Sequence, residues 1–297
     1  MAGKTSAFSF APSNIFPQGI PMMKTIALSA SLCLALSAAA SDEHKEIDRA
    51  VLDYAESYYE VRPEYVERSI HRDLVKLGYS FKQDGSYETK PMDYAGFEKM
   101  IAYLVDNDHT PAPGPKEVEI LDAADQTALV KLTGSWGVDY MQLAKFEGKW
   151  KTRHALWQTA PRDQNEEQRI EQTRAIEAAV ANYVDAIYTA KPDWIQRSVD
   201  KSLTKYGFER RRGSAEYSAS SMSYDQLVEG AGKWYASSPA RADAKREIEV
   251  LDVMDKIACA KLTADWGIDY MQLAEIDGRW MILHVMWQSH PPEKSDS

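Results

Sequence analysis

LTGSWGVDYMQLAKFEGKW, Leu132 to Trp150, returns as LTADWGIDYMQLAEIDGRW, Leu262 to Trp280. Glu147-Gly148 and Asp277-Gly278 are hairpin signals, so each block reads as strand, tight turn, strand. Outward from this block the chain matches itself at an offset of 129 to 130 residues. Six of the eight tryptophans pair: Trp136 with Trp266, Trp150 with Trp280, Trp157 with Trp287. Further out, Tyr54 matches Tyr183, Pro63 matches Pro192, Arg68-Ser69 match Arg197-Ser198 and Tyr94 matches Tyr224. The chain therefore holds one unit written twice, at residues 44–160 and 172–290, joined by the polar connector Pro161 to Gln172.

Each copy opens on helical spacing, Ile47, Val51, Tyr54, Tyr58 in the first and Ile176, Val180, Tyr183, Ile187 in the second. Pro63 and Pro192 stand where a short second helix would start, because proline is tolerated at the first helical position. A short extended section follows, Gly78 to Lys90 and Gly207 to Ala219. A third helix is predicted at Asp93 to Val105 and Ser223 to Tyr235, the latter opening on the capping-box spacing Ser223 and Gln226. A Pro-rich loop, Thr110 to Pro115, leads into strands at Glu117 to Asp122, Thr127 to Ser135, Asp139 to Phe146 and Lys149 to Gln158. Helices followed by an antiparallel meander predict an α+β fold, with two tandem domains that each pack helices on a curved, mainly antiparallel sheet.

Composition bounds the function classes. The 297 residues are 27% charged and 44% hydrophobic, with 15 Gly and 13 Pro, which excludes collagen-like, low-complexity and wholly disordered chains. A formal charge of -10 argues against nucleic acid as partner, because phosphate backbones reward Lys and Arg. Residues 1–40 contain no acid, and their apolar run Ile26 to Leu36 is too short to span a bilayer. Met22-Met23-Lys24, that run and Ala38-Ala39-Ala40 have the shape of a secretory signal peptide, with residues 1–21 an over-long start. The expected mature chain begins near Ser41, is periplasmic or secreted, carries no membrane anchor after cleavage and, without Lys4 and Lys24, has a charge of -12. Cys33 lies inside the leader, so Cys259 stands alone in the mature chain and reads as a small buried hydrophobe, with no intramolecular disulfide to form.

The element order, with Trp136-x-x-Asp139-Tyr140-x-x-Leu143, then Gly148-x-Trp150 and Trp157, resembles the nuclear transport factor 2-like superfamily of cone-shaped domains. Within it the pattern is most similar to the group labelled Putative lumazine-binding. The resemblance covers both copies. It implies the cone fold and a cavity able to hold a small molecule, while the wider superfamily spans isomerases, dehydratases, ligand-binding and protein-interaction modules, so the fold leaves the activity open.

The hairpins set a register. If Phe146 pairs with Lys149, then Met141 faces His154, Leu143 faces Thr152, and Asp139 becomes a diagonal neighbour of His154 on one mostly apolar face, the expected inner wall of the cone. Copy 2 repeats this with Asp269, Met271 and His284. A carboxylate beside an imidazole fixes its tautomer and raises its pKa, which suits ligand contact or acid-base chemistry as well as a satisfied core pair. A bulge in the hairpin would break this register. The candidate ligand-binding residues are Asp139, His154, Trp136 and Tyr54, with Asp269, His284, Trp266 and Tyr183 as their counterparts. The alternative enzyme reading makes Asp139 with His154 and Asp269 with His284 catalytic pairs.

The opposite face carries Lys151, Arg153, Ala155, Trp157 in copy 1 and Met281, Leu283, Val285, Trp287 in copy 2. The apolar copy 2 face needs a cover, either copy 1 in a sheet-to-sheet contact or a second chain in a homodimer. No metal or cofactor motif is present: the histidines at 44, 71, 109, 154, 284 and 290 lack ligand spacing, and there is no phosphate loop or nucleophile elbow. Arg210-Arg211-Arg212 reads as a solvated hairpin tip. The sequence thus predicts an exported protein that binds a small aromatic or amphipathic molecule, with no reaction assigned. Its alternatives are an isomerase- or dehydratase-like enzyme and a protein-interaction module.

Overall fold

The computed structural model describes residues 42–159, 162–211, 214 and 216–292. The leader read at residues 1–40 and Arg212 of the arginine run lie outside the described residues. The chain divides into residues 1–43 and 44–297, and the account below concerns the second part. Copy 1 runs α1 (residues 42–59), α2 (Pro63–Ser69), β1 (Ile70–Phe81), β2 (Tyr87–Asp93), α3 (Tyr94–Asp106), β3 (Glu117–Ala123), β4 (Thr127–Gly134), β5 (Gly137–Phe146) and β6 (Lys149–Gln158). Copy 2 runs α4 (Glu166–Tyr188), a 3-10 turn (Pro192–Arg197), β7 (Val199–Arg210), β8 (Tyr217–Met222), α5 (Tyr224–Ala231), β9 (Arg246–Val253), β10 (Ile257–Ala264), β11 (Gly267–Ile276) and β12 (Arg279–Gln288). Each copy builds a six-stranded sheet, ordered β2-β1-β6-β5-β4-β3 and β8-β7-β12-β11-β10-β9. The one parallel pairing in each, β1 with β6 and β7 with β12, is the pairing that needs the helical crossover between its strands.

Local sequence explains the boundaries. Pro63 and Pro192 each open their short helical segment. Asn165 and Gln168 close a capping box that starts α4 inside the connector, and Ser223 with Gln226 does the same for α5. Glu147 and Gly148 have φ of 50° and 75°, and Asp277 and Gly278 have 49° and 75°, so both residues of each turn take the positive φ that suits strand twist.

Three departures from the sequence reading matter. The extended section at Gly78 is the end of a strand that begins at Ile70, and the same holds for Val199 in copy 2. Its inward positions include Lys76 and Gly78, so the apolar alternation that signals a strand is absent. The third helix of copy 2 stops at Ala231 instead of Tyr235, between Gly230 and Gly232, each a weak helix former.

The third departure is the register. Phe146 pairs with Lys149 and Leu143 with Thr152 as expected, but Gln142 then pairs with His154, Met141 with Ala155 and Asp139 with Trp157. One extra residue, Arg153, sits in the strand as a bulge, and Leu283 does the same in β12. Beyond the bulge every side chain changes face. Ala155 and Trp157 turn inward, as do Val285 and Trp287, whereas His154 and His284 turn outward.

The outward faces meet. Tyr79, Leu129, Tyr140 and Leu156 of copy 1 pack with Cys259, Tyr270, Leu283 and Met286 of copy 2 in a core separate from the two helix-side cores. Of the two covers for the copy 2 face, the chain supplies the intramolecular one. The contact is reciprocal: Gln142 Nε2 donates to the Tyr270 carbonyl at 2.8 Å and Gln272 Nε2 to the Tyr140 carbonyl at 2.8 Å. Gln158 donates to Asp255, and Gln288 to Asp125, in the same pseudo-twofold sense.

Candidate functional site

Between helices and sheet, each copy encloses a cavity whose floor is a buried lysine. In copy 1, Lys76 of β1 donates from Nζ to Tyr54 Oη at 2.7 Å and to Asp139 Oδ1, and Trp136 Nε1 donates to the other carboxylate oxygen. In copy 2, Lys205 Nζ donates to Tyr183 Oη at 2.9 Å and to Asp269 Oδ1 at 3.1 Å, with Trp266 Nε1 on Asp269 Oδ2 at 3.2 Å. Four side chains, from a helix, two strands and the turn before one of them, thus repeat as one hydrogen-bonded quartet.

The walls follow from local packing. Trp157 pairs in register with Gly78 and Trp287 with Gly207. A Cβ on Gly78 would stand 2.0 Å from the Trp157 ring, and one on Gly207 2.2 Å from Trp287, so the glycines let each indole lie across the neighbouring strand. Those indoles come within 5.4 Å of Lys76 Nζ and 5.5 Å of Lys205 Nζ, a distance at which the ring face attracts the cation. Tyr58, Met92, Phe97 and Met100 complete the copy 1 cavity, of about 210 Å³. Ile187, Met222, Trp234 and Tyr235 help to complete that of copy 2, about 650 Å³, with Glu209, Ser220 and Ser238 as its polar residues beside Lys205.

Burial sets the electrostatics. Loss of water pushes the Lys76 and Lys205 ammonium groups below their ordinary range, and the partner carboxylates Asp139 and Asp269 oppose that shift. The same burial, reinforced by the neighbouring carboxylate, lifts the Tyr54 and Tyr183 phenols well above theirs. The phenols stay protonated, and each cavity floor presents a cation neutralised by a carboxylate beneath it.

Of the residues named from sequence, Tyr54, Trp136, Tyr183 and Trp266 line the cavities, and Asp139 and Asp269 lie directly behind the lysines. His154 and His284 do not join them. The bulges put both on the outward face, where their rings stack on each other, centroids 5.1 Å apart, between the two sheets. His154 Nδ1 bonds Gln142 Oε1 at 2.7 Å, and Thr204 Oγ1 meets His284 Nδ1 at 2.6 Å. Burial holds both imidazoles neutral, His284 with its pKa lowered to about 4. The Asp and His pairs of the sequence reading are therefore separated by the thickness of the sheet, and the carboxylate that would have raised each histidine's pKa is absent from its surroundings.

The sequence reading missed Lys76 and Lys205, together with Trp157 and Trp287 as cavity walls. The signal was present: Lys-x-Gly recurs at the same offset as the tyrosines, 76 and 78 against 205 and 207. Cys259 is buried in the seam between the sheets, and burial pushes its thiol up. Arg210 is tied down, donating to the carbonyls of Ser214 at 2.9 Å and His290 at 3.2 Å. Among the described residues no cluster of three His, Cys, Asp or Glu side chains forms a metal site.

No curated protein matches the chain. Among solved structures, a nuclear transport factor 2-like protein of unknown function from Silicibacter pomeroyi is 19% identical over 41% of this chain and 98% of its own, with a TM-score of 0.34. One from Shewanella baltica is 15% identical over 44% of this chain and 100% of its own, TM-score 0.36. A superfamily protein from Salmonella enterica is 15% identical over 44% and 98%, TM-score 0.28. A single family model matches residues 42–158 and then 171–288, the two sheets with their helices. The chain belongs, twice over, to the family described as Putative lumazine-binding.

Proposed function

We propose that this is an exported small-molecule-binding protein whose cavity holds a flat aromatic compound over the buried lysine. The observation that carries this reading is the repeated quartet of lysine, tyrosine, aspartate and tryptophan at the base of an aromatic-walled cavity. An ammonium group has three N–H donors. Lys205 gives one to Tyr183 and one to Asp269, which leaves a third for an acceptor on a bound molecule. Trp266 and Trp287 supply broad apolar faces for a ring. Few polar groups in a mostly apolar concavity are the usual composition of a binding pocket. The family's description adds weight to ligand binding of this kind, and the signal-like residues 1–40 support export.

Mass spectrometry of the full-length gene product, recovered from the exported compartment under native and then denaturing conditions, tests both parts. The expected result is a chain beginning near Ser41 that carries a small, ultraviolet-absorbing molecule lost on denaturation. A bare chain that also fails to take up any added two-ring aromatic acid would overturn the binding reading, and a chain retaining residues 1–40 would overturn export.

A further inference from the structure

The two cavities share their floor but not their room. Tyr54, Lys76, Met92, Trp136 and Trp157 recur as Tyr183, Lys205, Met222, Trp266 and Trp287, yet the volumes are about 210 and 650 Å³. At four of the positions that differ, copy 1 carries the bulkier side chain: Tyr58 against Ile187, Phe97 against Leu227, Met100 against Gly230, Lys90 against Ser220. In copy 1 the extra bulk is packed inside, with the Tyr58 ring 5.5 Å from Trp136 and Phe97 5.1 Å from Tyr54. In copy 2 the third helix ends one residue after Gly230, and the chain turns so that Trp234 lies over that glycine. A Cβ there would stand 2.2 Å from the Trp234 ring. Gly230 thus leaves the place of the Met100 side chain to an indole that becomes a wall of the copy 2 cavity. Trp234 is 48% exposed, as a residue at the mouth should be.

We infer that the copies have divided their labour: the copy 2 cavity is the cargo site, and the copy 1 cavity is plugged by its own side chains, with Gly230 and Met100 as the deciding residues. This rests on the small-molecule reading and deepens it. Pockets for compounds of drug size run from roughly 300 to 1,000 Å³, a range that includes the copy 2 volume and excludes that of copy 1. The lining specifies the cargo class. Lys205 asks for an acceptor oxygen at the buried end, Trp266, Trp287 and Trp234 ask for a flat system of two or more rings, and Glu209 with Ser220 asks for hydrogen-bond donors at the outer end.

The test uses anilinonaphthalene sulfonate, which has two fused rings and an acceptor group, titrated by fluorescence into the mature full chain. The expected stoichiometry is one probe per chain. Gly230→Met, and independently Ile187→Tyr from the opposite wall, should each weaken binding by roughly tenfold or more at unchanged far-ultraviolet circular dichroism. Met100→Gly, with Met100→Ala as the variant less costly to the helix, should raise the stoichiometry toward two. Two probes per wild-type chain, or wild-type affinity in both copy 2 variants, would overturn the division of labour while leaving the binding reading intact. No probe bound by any variant would remove the binding reading itself, and the division with it.

Discussion

Lys205 keeps a charge where the fold leaves only 6% of its side chain exposed, and Asp269 beneath it is fully buried. Removing two such ions from water costs several kcal/mol each, and the pair repays this only with good geometry and further hydrogen bonds. Tyr183 and Trp266 provide those bonds. Lys205→Met should therefore destabilise the chain by about 3 to 5 kcal/mol, because it strands a buried carboxylate. Lys205→Met with Asp269→Asn should recover most of the loss, since a neutral amide still accepts from Trp266. Urea midpoints of the two variants decide, and equal midpoints would show that the pair bears no such burden. At this scale the tyrosines and Trp136 were legible as repeated aromatic residues. The lysines were not, because a lysine in a strand ordinarily marks the solvent side, and only contact with Asp139 or Asp269 shows it pointing inward.

The bulges decide which elements present which residues. A two-residue period predicts faces correctly up to the first extra residue and wrongly beyond it. Neither bulge needs a glycine, since neither Arg153 nor Leu283 takes a positive φ. Arg153 and Leu283 accordingly differ in every respect but position, and nothing in either marks the strand as interrupted. Deleting Arg153 should turn one end of β6 to the wrong face, exposing Trp157 and Ala155 or burying Lys149 and Lys151. The expected product has lost its near-ultraviolet circular dichroism and cooperative unfolding, whereas Arg153→Ala retains both. A deletion variant that unfolds like wild type would show that the bulge does not set the register. The helices were easier to read, because Pro63, Pro192 and Ser223 act within one turn of chain. The early stop of α5 is equally local, yet two glycines only weaken a helix, and Trp234 packing on Gly230 is what ends it where it does.

Across the whole molecule, the two sheets bury a third core that joins the copies into one body, and His154 and His284 lie within it. Both are held neutral, while in the unfolded chain each takes a proton near pH 6.5. The unfolded state therefore binds more protons below that pH, so the histidines' contribution is fully present above about 6.5 and is lost as pH falls toward the folded value, about 4 for His284. Between pH 7 and 5, before most carboxylates titrate, stability should fall, with His284 contributing about 2 kcal/mol of the loss. His284→Gln should remove that share of the slope in denaturant titrations at several pH values, and an unchanged slope would show that the seam is open to water. The sequence by itself determined the duplication, the α+β element order, the hairpin turns and four of the aromatic residues that line the cavities, Tyr54, Trp136, Tyr183 and Trp266, because repeats, caps and turns act over short stretches of chain. The tertiary structure alone decided which face each residue of β6 and β12 occupies, that the paired sheets cover one another, and that a lysine instead of a histidine stands over Asp139 and Asp269. Each of these depends on one extra residue in a strand or on a contact between segments more than sixty residues apart, which no local pattern records.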